Sequence, residues 1–437
     1  MIRSPALPPM PLPGRVLAGF SGGLDSTVLL HLLAADPGIR QRGLRAIHVH
    51  HGLAPQADAW AAHCHQVCAN LGVPLQVARV DVPRDTGLGL EGAARQARYA
   101  AFANVLAEGE ILALAHHRDD QAETFLLRAL RGSGVEGLRA MPAWRRLGRG
   151  WLWRPLVESP RERLAAYAGE AGLEWVEDPA NDAGTHERNF LRQHVMPLLR
   201  ERWPHADAMF ARSATLAGEA TRLLATGDAD ALADSTAARP GLIRIERLMR
   251  HPVERRARVL RLWIERLGLP PLPGEGVAQI EAMLAGPDRD TIPEFAWSGA
   301  LVRRWRGQLY ASRVRPPLPR DFHASWDGRA PLRIPTGAVL ELHPAPVEAP
   351  LGPPWPVSVR ARQGGERITL AGRGHSHALK NLLQERGVPP WLRAELPILR
   401  AQDGAVLAAG DLVVSHVLER QLAGAGLRLR WRCPDGG

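Results

Sequence analysis

Residues 16–30, VLAGFSGGLDSTVLL, constrain this chain more than any other stretch. An apolar run of β-strand character (Val16, Leu17, Ala18, Phe20) feeds a tight turn, Ser21-Gly22-Gly23-Leu24-Asp25-Ser26, and an apolar helix is expected to open at Thr27. That order of elements outlines a phosphate cradle. Paired glycines reach backbone conformations closed to residues with a Cβ, so their N–H groups can approach an oxyanion closely. The helix start adds unpaired N–H donors and a partial positive charge. No Gly-Lys-Ser/Thr follows the glycines, so the loop is not of the common Walker kind and lacks the lysine that holds β and γ oxygens. Ser21, Ser26 and Thr27 offer hydroxyls, whereas Asp25 offers a carboxylate that repels phosphate unless a cation lies between them. A nucleotide with Mg²⁺ is therefore expected at Ser21, Gly22, Gly23, Leu24, Asp25 and Ser26. The competing reading is a plain turn in which Asp25 or Ser26 caps a helix.

Further strands are expected at 44–50 (LRAIHVH), 75–80 (LQVARV) and 111–115 (ILALA), with helices at 56–70 and 91–106 between them. Such alternation implies right-handed βαβ units and a parallel sheet, with ligands at the carboxyl ends of its strands. Polar clusters fall at those ends. His48 and His50 share a strand face with His51 opposite, which reads as a polar lining rather than a metal site. Cys64 and Cys68 share a helix face while His63 and His65 diverge, which reads as a packed helix away from the strand edges. Arg95 and Arg98 lie three apart beside Glu91 and Tyr99, either as an exposed salt-bridged stripe or as contacts to nucleotide or RNA phosphate. After the 111–115 strand comes AHHRDDQAETFLLRALRGSG, residues 115–134. A helix is expected to begin near Asp120, with Asp120 and Glu123 in a capping arrangement. Capping does not account for His116, His117, Arg118 and Asp119 at the same strand edge. In a parallel sheet this turn faces the 21–26 loop, so a nucleotide would be gripped between them. Arg131-Gly132-Ser133-Gly134 adds a flexible basic turn.

SGGLDS resembles the PP-loop of the N-type ATP pyrophosphatases, whose members cleave ATP between the α and β phosphates and adenylate a carbonyl oxygen. With AHHRDDQAET, RGSGVEGL, RPL at 154–156 and DPANDAGTHERNFLRQHVMPLL from Asp178, the resemblance narrows to the tRNA(Ile)-lysidine synthetases. Its most discriminating part is the last string. Asp178, Asn181, Arg188, Asn189 and Arg192 sit where the family has an acidic residue, then Asn, then Arg-Asn; Ala180 stands where the family usually has a hydroxyl. Read without the family, the string is a polar loop entering an amphipathic helix over 188–199, ended by Pro204.

The resemblance implies a specific reaction. The C2 carbonyl oxygen of the wobble cytidine of a CAU-anticodon tRNA(Ile) attacks the α-phosphate of ATP and pyrophosphate leaves. The amine of free L-lysine then displaces AMP, giving lysidine and changing decoding from AUG to AUA. Asp25, with Asp120, would hold Mg²⁺ through hard oxygen ligands. His117 or an adjacent carboxylate would orient the cytidine or take a proton from lysine. Arg188 and Arg131 would contact phosphate or adenylate. The candidate catalytic set is thus Asp25, His117, Asp120 and Arg188, and the candidate tRNA contacts are Arg95, Arg98, Arg131, Arg192, Arg373, Lys380 and Arg393.

At 437 residues, about two to four domains are expected. The formal charge of +10 suits a polyanionic partner, although Lys380 is the sole lysine and an arginine-rich coding bias would produce the same balance. Residues 206–233 read as an alanine-rich helix, and 242–267 as a continuing helix crowded with Arg255, Arg256, Arg258 and Arg261. Residues 297–313 alternate like a hairpin. From Val357 the basic string resembles the family's carboxyl-terminal RNA-binding domain, with Trp391 available to stack on a base. The expected class is α/β: a parallel-sheet PP-loop ATPase domain, a helical middle domain and a small α+β C-terminal domain. The expected divisions are a flexible leader (1–14), the catalytic domain (15–205), a mainly helical tRNA-binding domain (206–315), a linker with short strands (316–356) and a basic RNA-binding domain (357–437).

Three cysteines do not make a disulfide framework, and no apolar run of about 18 residues or signal-peptide core appears, so a cytoplasmic protein without a membrane partner is expected. A homodimer is kept open. Two rivals remain: a tRNA thiolase, which would need paired cysteines to carry sulfur, and a non-catalytic, nucleotide-gated RNA-binding protein.

Overall fold

The computed structural model describes residues 5–83, 89–177, 187–237, 239–286, 292–344, 355–372 and 375–433. The chain divides into two compact units, Met1–Leu224 and Ala225–Gly437.

In the first unit, β1 (Val16–Gly19) leads into α1 (Leu24–Ala35) and α2 (Pro37–Arg42). Then come β2 (Leu44–His50), α3 (Ala57–Asn70), β3 (Leu75–Arg79), α4 (Gly89–Val105), β4 (Ile111–Ala113) and α5 (Arg118–Leu130). β1 pairs in parallel with β2 on one side and β4 on the other, and β3 extends the sheet beyond β2, as the strand–helix alternation predicts. Alternation along the central strands assigns each residue to a core. Val16, Ala18, Ile111 and Ala113 face a cluster containing Val28, Leu29 and Leu33 of α1, while Leu17, Ile47 and Leu112 face Phe102 and Leu106. A strand covered on both faces has no polar side, which is why β1 and β4 read as unbroken apolar runs. Each such large aliphatic side chain stabilises the fold by roughly 1.5–3 kcal/mol.

Two helix starts differ from expectation. α1 opens at Leu24, three residues before Thr27, because Gly23 is the extended cap whose carbonyl already accepts from the Thr27 amide (3.0 Å). α5 opens at Arg118, with His117 as its cap.

After α6 (Val135–Leu138), a hairpin of β5 (Trp144–Leu147) and β6 (Gly150–Trp153) completes a six-stranded sheet of order β3-β2-β1-β4-β6-β5. β6 lies parallel to β4, and only β5 runs antiparallel to its neighbour. Trp144 stacks on Trp153 with centroids 5.8 Å apart. Gly150 is obligatory here, since a Cβ would fall 2.3 Å from the Glu110 carbonyl oxygen. α7 (Arg161–Glu170) covers α1. The helix expected over 188–199 is α8 (Glu187–Phe190), a π-helical turn over Leu191–Val195, and α9 (Met196–Arg202). Pro197 explains the wide turn, because it donates no N–H and its ring crowds the carbonyl one turn back. α10 (Ala206–Ser235) runs into the second unit.

The second unit opens with β7 (Leu242–Arg244), a strand where a continuing helix was expected, because Leu242 and Ile243 pair with the later hairpin. α11 (Ile245–Leu248), α12 (Val253–Arg266), α13 (Gly274–Ala285), β8 (Glu294–Trp297), β9 (Ala300–Trp305) and β10 (Gln308–Arg313) follow, giving an antiparallel sheet of order β7-β10-β9-β8. Two of the crowded arginines fasten α12 in place: Arg256 pairs with Glu281 (2.6 Å) and Arg258 with Asp228 (2.7 Å).

Residues 316–356 contribute β11 (His323–Trp326), β12 (Leu332–Arg333) and β13 (Val339–Pro344). Beyond them lie β14 (Val357–Ala361), β15 (Arg367–Ile368), β16 (His377–Ala378), α14 (Leu379–Glu385), α15 (Pro390–Glu395), β17 (Pro397–Arg400), β18 (Val406–Ala409), β19 (Val413–Val414), α16 (His416–Gly424) and β20 (Leu427–Arg432). β11 pairs with β14 and β13 with β20, so this stretch shares sheets and one core with the terminal segment. Among the described residues, no helix is long and apolar enough to cross a membrane.

Candidate active site

Adjacent parallel strands β1 and β4 bring two turns together at the carboxyl edge of the sheet. The first is the 21–26 loop. Gly22 adopts φ +87°, and a Cβ there would meet Cys64 Sγ and the Val176 side chain, each at 3.1 Å. The Val176 amide donates to the Gly22 carbonyl (2.9 Å). Ser26 Oγ donates to the Gly23 carbonyl (2.9 Å) and accepts from the Ser21 amide (3.2 Å), while Thr27 Oγ1 also donates to the Gly23 carbonyl (3.0 Å). These hydroxyls close the loop from within. No side chain caps α1, which leaves its first-turn amides and dipole available to an anion.

The loop rests on histidine and cysteine. His48 and His50 are buried, and His48 Nδ1 lies 3.0 Å from the Phe20 carbonyl and 3.4 Å from Cys64 Sγ. Cys64 therefore packs under Gly22 and not away from the strand edges, a correction that helical phase alone could not supply. Burial pushes the Cys64 thiol up to about 12 and the Cys68 thiol up to about 11, so both remain inert packing groups.

The second turn begins α5. His117 and Asp120 form a reciprocal cap: the Asp120 amide donates to His117 Nδ1 (3.3 Å) and the His117 amide donates to Asp120 Oδ2 (3.1 Å). The capping pair is thus His117 with Asp120, one turn earlier than the expected Asp120 with Glu123. His117 Nε2 lies 3.7 Å from Asp25 Oδ2 and 3.4 Å from Asp120 Oδ2. The histidine is buried, which disfavours imidazolium, but Asp119, Asp120 and Asp25 outweigh that and raise its pKa. Burial raises the Asp25 pKa, against the pull of His117 and Arg161. Burial would also raise Asp120, yet His117 and Arg188 more than offset it and hold the carboxyl below its ordinary value.

Glu123 has a different task. It is buried, and it accepts from Arg188 Nε (2.8 Å) and Arg192 Nε (2.7 Å), while both arginines also reach Asp120 Oδ1 at 3.3 Å. The wide turn between α8 and α9 carries Arg188 and Arg192 onto the same partners. The sequence held a signal for this network: two acids three apart on α5 match two arginines four apart downstream. Asp119 accepts from the Arg161 amide (3.0 Å), and Arg161 Nε lies 3.7 Å from Asp25 Oδ1, so α7 also borders the site.

Two oxygen-bearing acids, Asp25 and Asp120, therefore flank His117. Asp25 Oδ1 is buried with no hydrogen-bond partner, and a divalent cation would satisfy such an oxygen. Among the described residues, no cluster of three or more ligating side chains forms a metal cage. The Asp25 and Asp120 carboxylates would suit Mg²⁺, which takes one or two carboxylates and completes its shell with water and substrate phosphates.

The candidate contacts outside this edge are dispersed. Arg98 Nε lies 3.3 Å from His51 Nε2, whereas Arg95 lies over the Tyr99 ring. Arg131 pairs with Glu187. In the second unit Lys380 is exposed, and Arg393 Nε donates to the Val388 carbonyl (2.6 Å). Asp178, Ala180, Asn181 and Arg373 lie outside the described residues.

Three family models match stretches of the chain. Residues 10–199 match a family described as a PP-loop domain, residues 244–310 a TilS substrate binding domain and residues 357–431 a TilS substrate C-terminal domain. The chain is 53% identical over 430 residues to the tRNA(Ile)-lysidine synthase of Xanthomonas axonopodis pv. citri, covering 98% of this chain and 96% of that one. It is 50% identical over 433 residues to the protein of the same name from Xylella fastidiosa (strain Temecula1), covering 99% and 98%. The corresponding protein of Alkalilimnicola ehrlichii is 45% identical over 424 residues, covering 96% and 94%.

Proposed function

We propose, from the premise that the chain belongs to the tRNA(Ile)-lysidine synthase family, that this ATP-using tRNA-modifying ligase joins free L-lysine to C2 of the wobble cytidine of a CAU-anticodon tRNA(Ile) through an adenylated tRNA. The product, lysidine, changes decoding from AUG to AUA. The observation that carries the reading is the meeting of an uncapped, lysine-free phosphate turn bearing Asp25 with the His117–Asp120 pair that opens α5 after the neighbouring strand.

In the first step the uncapped amides of the α1 start hold the β and γ phosphates, and their fixed dipoles stabilise charge on departing pyrophosphate. Asp25 and Asp120 would hold Mg²⁺, which supplies charge neutralisation at the phosphates. Arg188 and Arg192, kept in place by Glu123, set positive charge beside the reacting α-phosphate. The cytidine C2 oxygen attacks that phosphorus, and pyrophosphate leaves with the bonding pair.

Lysine must be neutral to attack. Its ammonium gives up a proton to His117, whose resulting imidazolium the neighbouring Asp120 carboxylate would stabilise. The free amine then displaces AMP at C2. Residues 15–205 carry this chemistry, while 206–315 and 357–437 bind the tRNA body, with Lys380, Arg393 and Arg373 among the contacts. A cytoplasmic location completes the reading.

The test is incubation with tRNA(Ile) transcript, labelled lysine and ATP. Label is expected in the tRNA, with one AMP and one pyrophosphate per lysine and none on a transcript whose wobble cytidine is replaced. Release of ADP, or label independent of that cytidine, would sink the reading.

A further inference from the structure

Beside the reaction site the first unit carries a second concavity of about 370 Å³, lined by Arg95, Tyr99, Arg128, Arg139, Arg145 and Arg154. Five guanidinium groups meet one carboxylate there, that of Glu136. Two of the arginines are satisfied by neutral acceptors, which leave their charge in place. Arg128 donates to the Gly137 and Ala140 carbonyls at 2.7 Å, and Arg154 donates to the Pro142 carbonyl at 2.7 Å. Two more are set in position by an aromatic ring, with Arg95 5.2 Å and Arg145 5.4 Å from the Tyr99 centroid. Burial lowers the pKa of Arg128, and Arg139 and Arg95 lower it further.

A protein gathers uncompensated like charges in a cleft at a steady energetic disadvantage unless a counter-charge arrives. Planar guanidinium forks match phosphate oxygens in pairs, whereas the same field repels the ammonium of lysine. The cleft also communicates with the reaction site, because Arg154 Nε lies 3.3 Å from His116 Nδ1 and His116 immediately precedes His117.

We propose that this five-arginine cleft is a phosphate subsite that grips an RNA phosphodiester next to the reacting nucleotide, so that the target base is positioned by its backbone. The inference rests on the proposed tRNA reaction and assigns Arg139, Arg145 and Arg154, none of them among the candidate contacts named from the sequence, as positioning residues. The same chemistry could be met by the triphosphate of ATP, and the experiment separates the two sources.

Arg139→Gln, Arg145→Gln and the double variant are compared with the unaltered chain in three measurements: tRNA affinity across a salt series, affinity for an ATP analogue without tRNA, and thermal unfolding. Each single change is expected to weaken tRNA binding about five-fold and to lower the slope of log K against log salt by about 0.7 for the lost single-strand phosphate contact. ATP affinity and unfolding temperature stay unchanged, and Arg139→Lys recovers the salt slope. Loss of ATP affinity with tRNA binding intact would assign the cleft to the triphosphate and overturn the proposal. No change in either ligand would overturn it as well, leaving the arginines structural. Lysine incorporation by the unaltered chain is measured in parallel. Its absence alongside the expected salt slopes would sink the tRNA(Ile) reaction while leaving the phosphodiester subsite standing.

Discussion

At the carboxyl edge of the six-stranded sheet, Asp25 keeps one buried oxygen without a hydrogen-bond partner and sits at the start of a helix that no side chain caps. At the amino edge of the same sheet, Glu110 is buried just before β4 with both oxygens engaged. Arg45 donates to them from Nε (2.8 Å) and Nη2 (2.6 Å), and the Ala107 amide adds a third bond (3.0 Å). The two carboxyls respond oppositely. Burial raises Asp25, whereas burial at Glu110 is overcome by Arg45 and the Ala107 amide, so its pKa falls. A carboxyl with a raised pKa opposes folding once it ionises, and one with a lowered pKa supports it. The sheet thus spends stability where chemistry is needed and recovers it at the other end.

The sharpest way to break this contrast is to neutralise each carboxyl in turn. Asp25→Asn is expected to cut pyrophosphate release on the order of 10³-fold, about 4 kcal/mol of barrier, with the unfolding temperature unchanged or higher. Turnover close to normal would remove Asp25 from the phosphate chemistry. Glu110→Gln should do the reverse. Breaking a buried ion pair is strongly destabilising, but Arg45 is one-third exposed, so a loss of about 2 kcal/mol is expected in urea unfolding, with activity per folded molecule intact.

A backbone version of the comparison gives a smaller effect. Gly22 and Gly109 both hold positive φ, +87° and +71°. Alanine at either strains the backbone by roughly 1 kcal/mol, but only at Gly22 does the new Cβ meet neighbours, Cys64 and Val176, whereas the space around Gly109 is open. Gly22→Ala is therefore expected to weaken ATP binding about ten-fold as the loop shifts, and Gly109→Ala to leave it alone. Equal effects on ATP would mean that the loop is not the phosphate cradle.

These two edges were unequally legible. The carboxyl edge could be read from the sequence because apolar strands ending in glycines, acids and histidines mark strand ends locally. The pairing of the 21–26 loop with His117 followed from sheet order alone. What escaped depended on distant partners. Glu123 reads as a helix cap until Arg188 and Arg192, 65 and 69 residues away, arrive beside it. The β5–β6 hairpin was missed because four-residue strands containing Arg145 and Arg146 show no clean alternation, and its identity rests on Trp144 finding Trp153 and Gly150 finding Glu110. Glu110 itself carries no motif; its partner Arg45 lies 65 residues earlier, on a different strand.

The smallest expected effect concerns acid. A carboxyl whose folded pKa lies below its unfolded value near 4.5 contributes its full stabilisation above that value, and loses it as the pH falls through the lower, folded value. Other acids titrate in the same range, among them Asp119, held at about 2 by His117 and the Arg161 amide against its burial. A single curve therefore cannot isolate Glu110, but a difference can. The gap in unfolding free energy between the unaltered chain and Glu110→Gln should be constant from pH 7 down to about 5 and should close steadily below 4.5. The same subtraction for Asp25→Asn should show no narrowing of that kind, since protonating a carboxyl with a raised pKa relieves the native state. A Glu110 gap that stayed constant to pH 3 would mean that Arg45 contributes packing and not charge, and the contrast between the two edges would reduce to the carboxyl edge alone.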